Sequence, residues 1–101
     1  MTPHSYRYVF DRVVRFDEVR DTLQLALLAV ESMYGRTAVR LSCSCDVDEP
    51  SNAIAIDTAS EIGRRLNEVF AGYISREFGD DAVVIQWPEQ GTPHALVPAP
   101  L

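Results

Sequence analysis

The stretch at 36–57 constrains the fold more than any other part of the chain. Apolar residues and cysteines occupy every second position from Val39 to Val47, and polar residues stand between them. This alternation is typical of a strand with one buried and one wetted face. Turn-forming residues follow at 48–52, and a second short alternation follows at 53–57. The sequence therefore predicts an antiparallel hairpin in the middle of the chain.

A long helical pattern lies on each side of the hairpin. Before it, Asp17 can cap a helix, and Gly35 supplies the left-handed residue that ends many helices. After it, Thr58 and Glu61 have the spacing of a capping box, and Gly79 closes the second helix. Helical spacing predicts two inner faces: Val19, Leu23, Ala26, Leu27, Val30, Met33 and Tyr34 on the first helix, and Ile62, Leu66, Val69, Phe70 and Tyr73 on the second.

Two leucines do not fit the inner face of the first helix. Leu25 and Leu28 project on the opposite side, where water favours polar side chains. Single exposed leucines are common on protein surfaces, so one interpretation gives these residues no role. The other interpretation makes them a contact between subunits, and it is the basis for predicting a homodimer.

A further strand-like run lies beyond each helix, and together these runs predict the fold class. Residues 5–14 alternate, with Tyr6, Tyr8 and Phe10 facing inward, and residues 82–87 form a last strand. The order βαββαβ predicts a ferredoxin-like α+β fold, a two-layer sandwich of a four-stranded antiparallel sheet with two helices on one face. The first and third strands would be central neighbours in that sheet.

Chain length and the two ends set the expected domain limits. At 101 residues, of which 47% are hydrophobic, the chain has room for one core of ordinary size. We expect a single α+β domain at 5–87, a flexible arm at 1–4 and a proline-rich tail at 88–101.

The charge balance makes a nucleic-acid partner unexpected. Fifteen acidic residues outnumber nine basic ones, and the net charge of -6 repels a phosphate backbone. All nine basic residues are arginine, which excludes chemistry that needs a lysine amine. No apolar run approaches the roughly 20 residues of a membrane span, and no signal-peptide pattern opens the chain. We therefore expect a cytoplasmic protein without a membrane partner.

Cys43 and Cys45 are the sharpest local feature of the predicted hairpin. On one face of a strand their side chains would lie about 7 Å apart, so both could bind one metal only if the strand bent. Zinc would need two further ligands, and the only histidines, His4 and His94, lie near the two ends. The pattern instead favours two buried free cysteines. We predict no metal site and no cofactor.

The outer face of the predicted sheet carries Arg7, Arg40 and Asp57. If the first and third strands are neighbours, Arg7 lies near Asp57 and can form a cross-strand ion pair with it. Together with Arg40 this face can bind a small anion, or it can simply be wetted. The third strand has no aromatic residue on this face, which argues against RNA binding.

No set of residues identifies a reaction. Neither a Ser/His/Asp set nor a glycine-rich phosphate loop is present, so the sequence leaves enzymatic activity undecided. The first hypothesis is a small homodimeric interaction or structural module that associates through Leu25 and Leu28. The alternative is a protein that binds a small anionic ligand or substrate on the open sheet face through Arg7, Arg40 and Asp57.

Overall fold

The computed structural model describes residues 4–86 and, for the backbone alone, residues 93–95. Three helices and five strands make up this part of the chain. In chain order they are β1 (Ser5–Phe10), α1 (Phe16–Tyr34), α2 (Arg36–Ser42), β2 (Cys45–Asp48), β3 (Ala53–Asp57), α3 (Glu61–Phe78), β4 (Val83–Gln86) and β5 (Pro93–Ala95). Among the residues described, no helix is both long and apolar enough to cross a membrane.

The strands form one antiparallel sheet in the order β2-β3-β1-β4-β5. The predicted hairpin is present as β2 and β3, with Cys45 opposite Ile56 and Asp48 opposite Ala53. A short 3-10 turn at Glu49–Ser51 joins these strands and ends at Asn52, which has a left-handed backbone. The prediction of an α+β fold with a four-stranded antiparallel sheet is thus confirmed for β1 to β4.

The first half of the predicted second strand is a helix, and this prediction was wrong. Residues from Arg36 to Ser42 form α2, in which Val39 is buried and Leu41 is 83% exposed. Residues two positions apart share a strand face but lie on opposite sides of a helix, so Val39 is buried while Leu41 is exposed. The arginines of this segment, Ala38 and Leu41 all have good helix propensity, which the prediction gave less weight than the alternation. Residues 4–86 therefore contain three helices rather than the two of the βαββαβ pattern.

The three helices pack on one side of the sheet and bury one continuous core. Tyr8 stands at its centre, with its ring edge-to-face against Phe70 at 5.0 Å between centroids. The core residues, each at most 8% exposed, are Tyr8, Phe10, Phe16, Val19, Leu23, Ala26, Val30, Val39, Ile54, Ile56, Leu66, Phe70, Ile74, Val83 and Ile85. They include Tyr8 and Phe10 of β1, four of the seven residues predicted for the inner face of the first long helix, and two of the five predicted for the second. The partly buried residues that pack against this core include Tyr6, Leu27, Tyr34, Ile62, Val69 and Tyr73.

The helix ends follow the predicted glycines but not the predicted N-terminal caps. Gly35 and Gly79 both have positive φ and follow α1 and α3. At the start of α3 the Ser60 hydroxyl, not that of Thr58, accepts the hydrogen bond from Gly63 N at 2.9 Å. Asp17 lies within the first turn of α1, where its charge still suits the helix dipole.

Most of the predicted arm and tail lies outside the described residues. The carbonyl oxygen of His4 accepts a hydrogen bond from Thr58 N at 3.0 Å, which fixes the start of β1 beside the end of β3. The backbone of β5 pairs with β4, so this short part of the tail extends the sheet.

Gly63 marks a close approach between α3 and the end of β3. A Cβ atom at this position would lie 2.2 Å from the backbone oxygen of Asp57, closer than real contacts allow. Gly72 lies on the same helix, and a Cβ there would meet nothing within 4 Å. The missing side chain at Gly63 therefore lets α3 begin directly against the end of β3.

Replacing each glycine with alanine tests this contact. Gly63→Ala should lower the free energy of unfolding by about 1–3 kcal/mol, the usual cost of overpacking. Gly72→Ala should raise it by about 0.5–1 kcal/mol, because alanine is the better helix former in open space. Denaturant titrations of both variants measure the difference, and equal effects would contradict the close approach.

Candidate functional site

The side of the sheet opposite the helices carries two of the three residues predicted to bind a ligand, Arg7 and Asp57. Side chains alternate along a strand, so Arg7 and Val9 of β1 lie on this side because Tyr8 and Phe10 face the helices. Asp57 of β3 and Asp46 and Asp48 of β2 lie on the same side. Among residues 4–86 no helix packs on this surface, which we call the open face.

The open face contains a hollow of about 420 Å³ between β1 and β2. Its floor is Ala53 and Ala55 of β3, the strand between them. Two alanines flanked by longer side chains leave this space, whose rim is formed by Ser5, Arg7, Ser44, Asp46, Asp48 and Asp57.

Arg7 spans the hollow to reach Asp48 rather than Asp57. Its Nη2 atom lies 3.2 Å from Asp48 Oδ2, and the Arg7 side chain is only 24% exposed. The sheet register places Arg7 opposite Ala55 and Asp57 opposite Ser5, so the predicted ion pair with Asp57 is not formed. Instead Asp57 Oδ1 accepts a hydrogen bond from Ala59 N at 2.8 Å, in the turn that leads into α3.

Arg40 is not part of the open face. It lies on α2, beside the buried Val39, and therefore on the helix side of the sheet. The hollow is left with the guanidinium of Arg7 against the carboxylates of Asp46, Asp48 and Asp57. Negative charge therefore predominates among these side chains, which does not favour a small anion at the hollow.

The predicted interface residues lie where helical spacing places them. Leu25 is 57% exposed and Leu28 is 60% exposed, both on the outer face of α1. Sequence reasoning missed Met33, which was assigned to the inner face but is 60% exposed near the end of the helix. Leu25, Leu28 and Met33 are the large exposed apolar residues of α1, and we call this set the α1 strip.

A shallow groove of about 240 Å³ lies beside the α1 strip. It is bounded by Thr22 and Leu25 of α1 and by Tyr73, Arg76 and Glu77 of α3. Because the first half of α1 lies against the second half of α3, the two helices run antiparallel. The groove thus offers an apolar wall next to a positive and a negative side chain.

The two cysteines are partly buried and pack against the core. Cys43 follows α2 and Cys45 begins β2, and neither is in a disulfide. Burial raises the pKa of both thiols, and for Cys45 the nearby Asp46 carboxylate adds to the rise. The described residues include no group of three histidine, cysteine or acidic side chains that could hold a metal ion.

A buried polar pair was also missed by sequence reasoning. The Tyr8 hydroxyl donates a hydrogen bond to Asn67 Oδ1 at 2.5 Å, which satisfies it within the core. Burial raises the pKa of Tyr8 well above its usual value. A tyrosine that faces the core from a strand predicts a hydrogen-bond partner for its hydroxyl. Which residue is that partner depends on where the helix lies over the strand.

Comparisons with protein-family models, curated proteins and solved structures each gave no significant match to this chain. Its function is therefore inferred from its own surfaces. The two that stand out are the α1 strip and the open face with its acidic hollow.

Stability at alkaline pH tests the placement of the cysteines. The folded state holds both thiol pKa values above the unfolded value of about 8.5, so the unfolded chain releases its thiol protons first as pH rises. The free energy of unfolding should therefore fall above about pH 8.5. Tyr8 contributes to this loss of stability only at higher pH, because the pKa of an unfolded tyrosine is about 10.

The double variant Cys43→Ser/Cys45→Ser is the control. In this variant the free energy of unfolding, measured by denaturant titration, should stay nearly constant from neutral pH to about pH 9.5. An unchanged pH dependence in this variant would show that the thiols ionise alike in the folded and unfolded states.

Proposed function

We propose that this protein is a small cytoplasmic interaction module that forms a homodimer through the α1 strip. The observation that carries the proposal is the exposure of Leu25, Leu28 and Met33 on one helix of a small domain. Burying this apolar surface against a second copy removes it from water, and this is the main driving force of association.

The neighbouring residues suit a contact between two identical faces. Ala29 and Ser32 lie between the apolar residues of the strip, and their small side chains allow two helices to approach closely. In a twofold dimer each strip meets its own copy. The partner's Leu28 then packs beside the groove that runs along Leu25.

Charge also favours this arrangement. Asp21 lies on the exposed side of α1 near Leu25, and Arg76 lies across the groove on α3. Within residues 4–86 neither side chain takes part in an ion pair. Across a twofold axis Asp21 of one protomer can pair with Arg76 of its partner, which would fix the orientation of the two copies.

The proposal includes a ferredoxin-like fold with one additional helix. When β5 is left aside and the order is written from the other edge, the strands run β4-β1-β3-β2, with β1 and β3 as central neighbours. The two long helices follow β1 and β3, as the βαββαβ order requires. In this interpretation α2 is an insertion between α1 and β2.

Charge substitution on the strip tests the dimer. Leu25→Asp/Leu28→Asp should shift the protein from dimer to monomer in sedimentation velocity, because burying two carboxylates in the contact is costly. Leu41→Asp is the matched control, since Leu41 is 83% exposed but lies on α2, and it should leave the dimer intact.

Two results would contradict the proposal. One is a wild-type protein that sediments as a monomer at high micromolar concentration. The other is a Leu41→Asp variant that dissociates as readily as the double variant, which would place the contact elsewhere.

A further inference from the structure

The outer edge of β2 has backbone groups that no described residue engages. Asp57 N donates to Ser44 O at 2.9 Å, which makes residues 44, 46 and 48 the ones whose backbone groups bond to β3. The N–H and C=O groups of Cys45 and Val47 therefore point away from β3. Since β2 ends the strand order, these groups form an open sheet edge.

The side chains along this edge differ on its two sides. Asp46 and Asp48 lie on the open face, whereas Val47 lies on the helix side and is 45% exposed. Arg7 neutralises Asp48, but in the described part of the chain Asp46 takes part in no ion pair. The edge thus combines a free backbone, an unpaired carboxylate and an apolar side chain.

Charge decides which strand the edge can accept. If a second copy paired through the same residues in antiparallel register, Asp46 would lie opposite its own copy, and like charges in that position are destabilising. The ends of this chain do not fit either. Neither residues 1–4 nor residues 87–101 contain an arginine or lysine to place against Asp46.

We propose that the β2 edge binds an extended basic segment of another protein, which adds a strand to the sheet. The backbone of that segment bonds to Cys45 and Val47, and its alternate arginine or lysine side chains face Asp46 across the open face. The hollow over Ala53 and Ala55 gives these long side chains room. Apolar side chains on its other side pack against Val47.

A labelled synthetic peptide with alternating arginine and valine tests the proposal on the full chain by fluorescence anisotropy. Asp46→Lys should weaken its binding by about tenfold or more. Asp81→Lys is the matched control, because it changes the net charge equally at an exposed site outside the edge, and it should retain binding. A peptide with glutamate in place of arginine should not bind.

Backbone pairing is tested separately from charge. Binding should slow hydrogen exchange at the amides of Cys45 and Val47, which point outward, more than at those of Asp46 and Asp48, which already bond to β3. Val47→Pro removes one outward N–H without removing a bond to β3 and should abolish binding. A peptide N-methylated at alternate residues gives the same test without altering the protein.

Three results would overturn the proposal: no binding of the basic peptide, equal binding to wild type and Asp46→Lys, or no change in exchange at Cys45 and Val47 on binding. The dimer proposal stands or falls independently. Leu25→Asp/Leu28→Asp should retain peptide binding, because the α1 strip and the β2 edge share no residue.

Discussion

The fold depends on the inward row of β1, where Tyr8 and Phe10 meet the helices. Tyr8 packs edge-to-face on Phe70, and Phe10 lies in similar contact with Phe16 and with Phe78 at 6.4 Å between ring centroids. Because side chains alternate along a strand, this row also fixes the residues of β1 that face away. A slip of one residue would bury Arg7 and Val9 and expose both aromatics, so register and core are specified together.

The inward position of Tyr8 and Phe10 also explains why polar side chains lie on one side of the sheet. All three helices cover the aromatic side, and the hydroxyl of Tyr8 is satisfied there by Asn67. The opposite side keeps Arg7 and the carboxylates of β2 in contact with water. Two alanines on β3 let Arg7 cross to Asp48, and the same two residues create the hollow.

The sequence predicted the secondary structure correctly where the periodic pattern of apolar residues was long. Both long helices, their terminating glycines and the β2-β3 hairpin are found near their predicted places, because many residues agree on one period. It failed at 36–42, where the alternation of Val39 and Leu41 indicates a strand, whereas the segment forms a helix that buries Val39 and exposes Leu41. Met33 was misplaced because the end of a long helix can extend past its neighbours.

The candidate surfaces were predictable in part, for a related reason. Exposure of Leu25 and Leu28 follows from the geometry of a single helix, and the structure places both on the outer face of α1. The open face required the register between strands, so Arg7 was placed correctly but its partner was not. Arg40 could not be assigned to the correct side of the sheet while α2 was interpreted as a strand.

The contact at Gly63 restricts which sequences can adopt this architecture. Because the Asp57 carbonyl fills the space that a side chain would take, α3 can begin this close to β3 only if residue 63 has no side chain. Substitutions should therefore accumulate slowly at Gly63 and readily at Gly72, although both are glycines on one helix. A newly sequenced chain with a larger residue at the former position would need a longer connection between β3 and α3, and that insertion would identify it as a divergent branch.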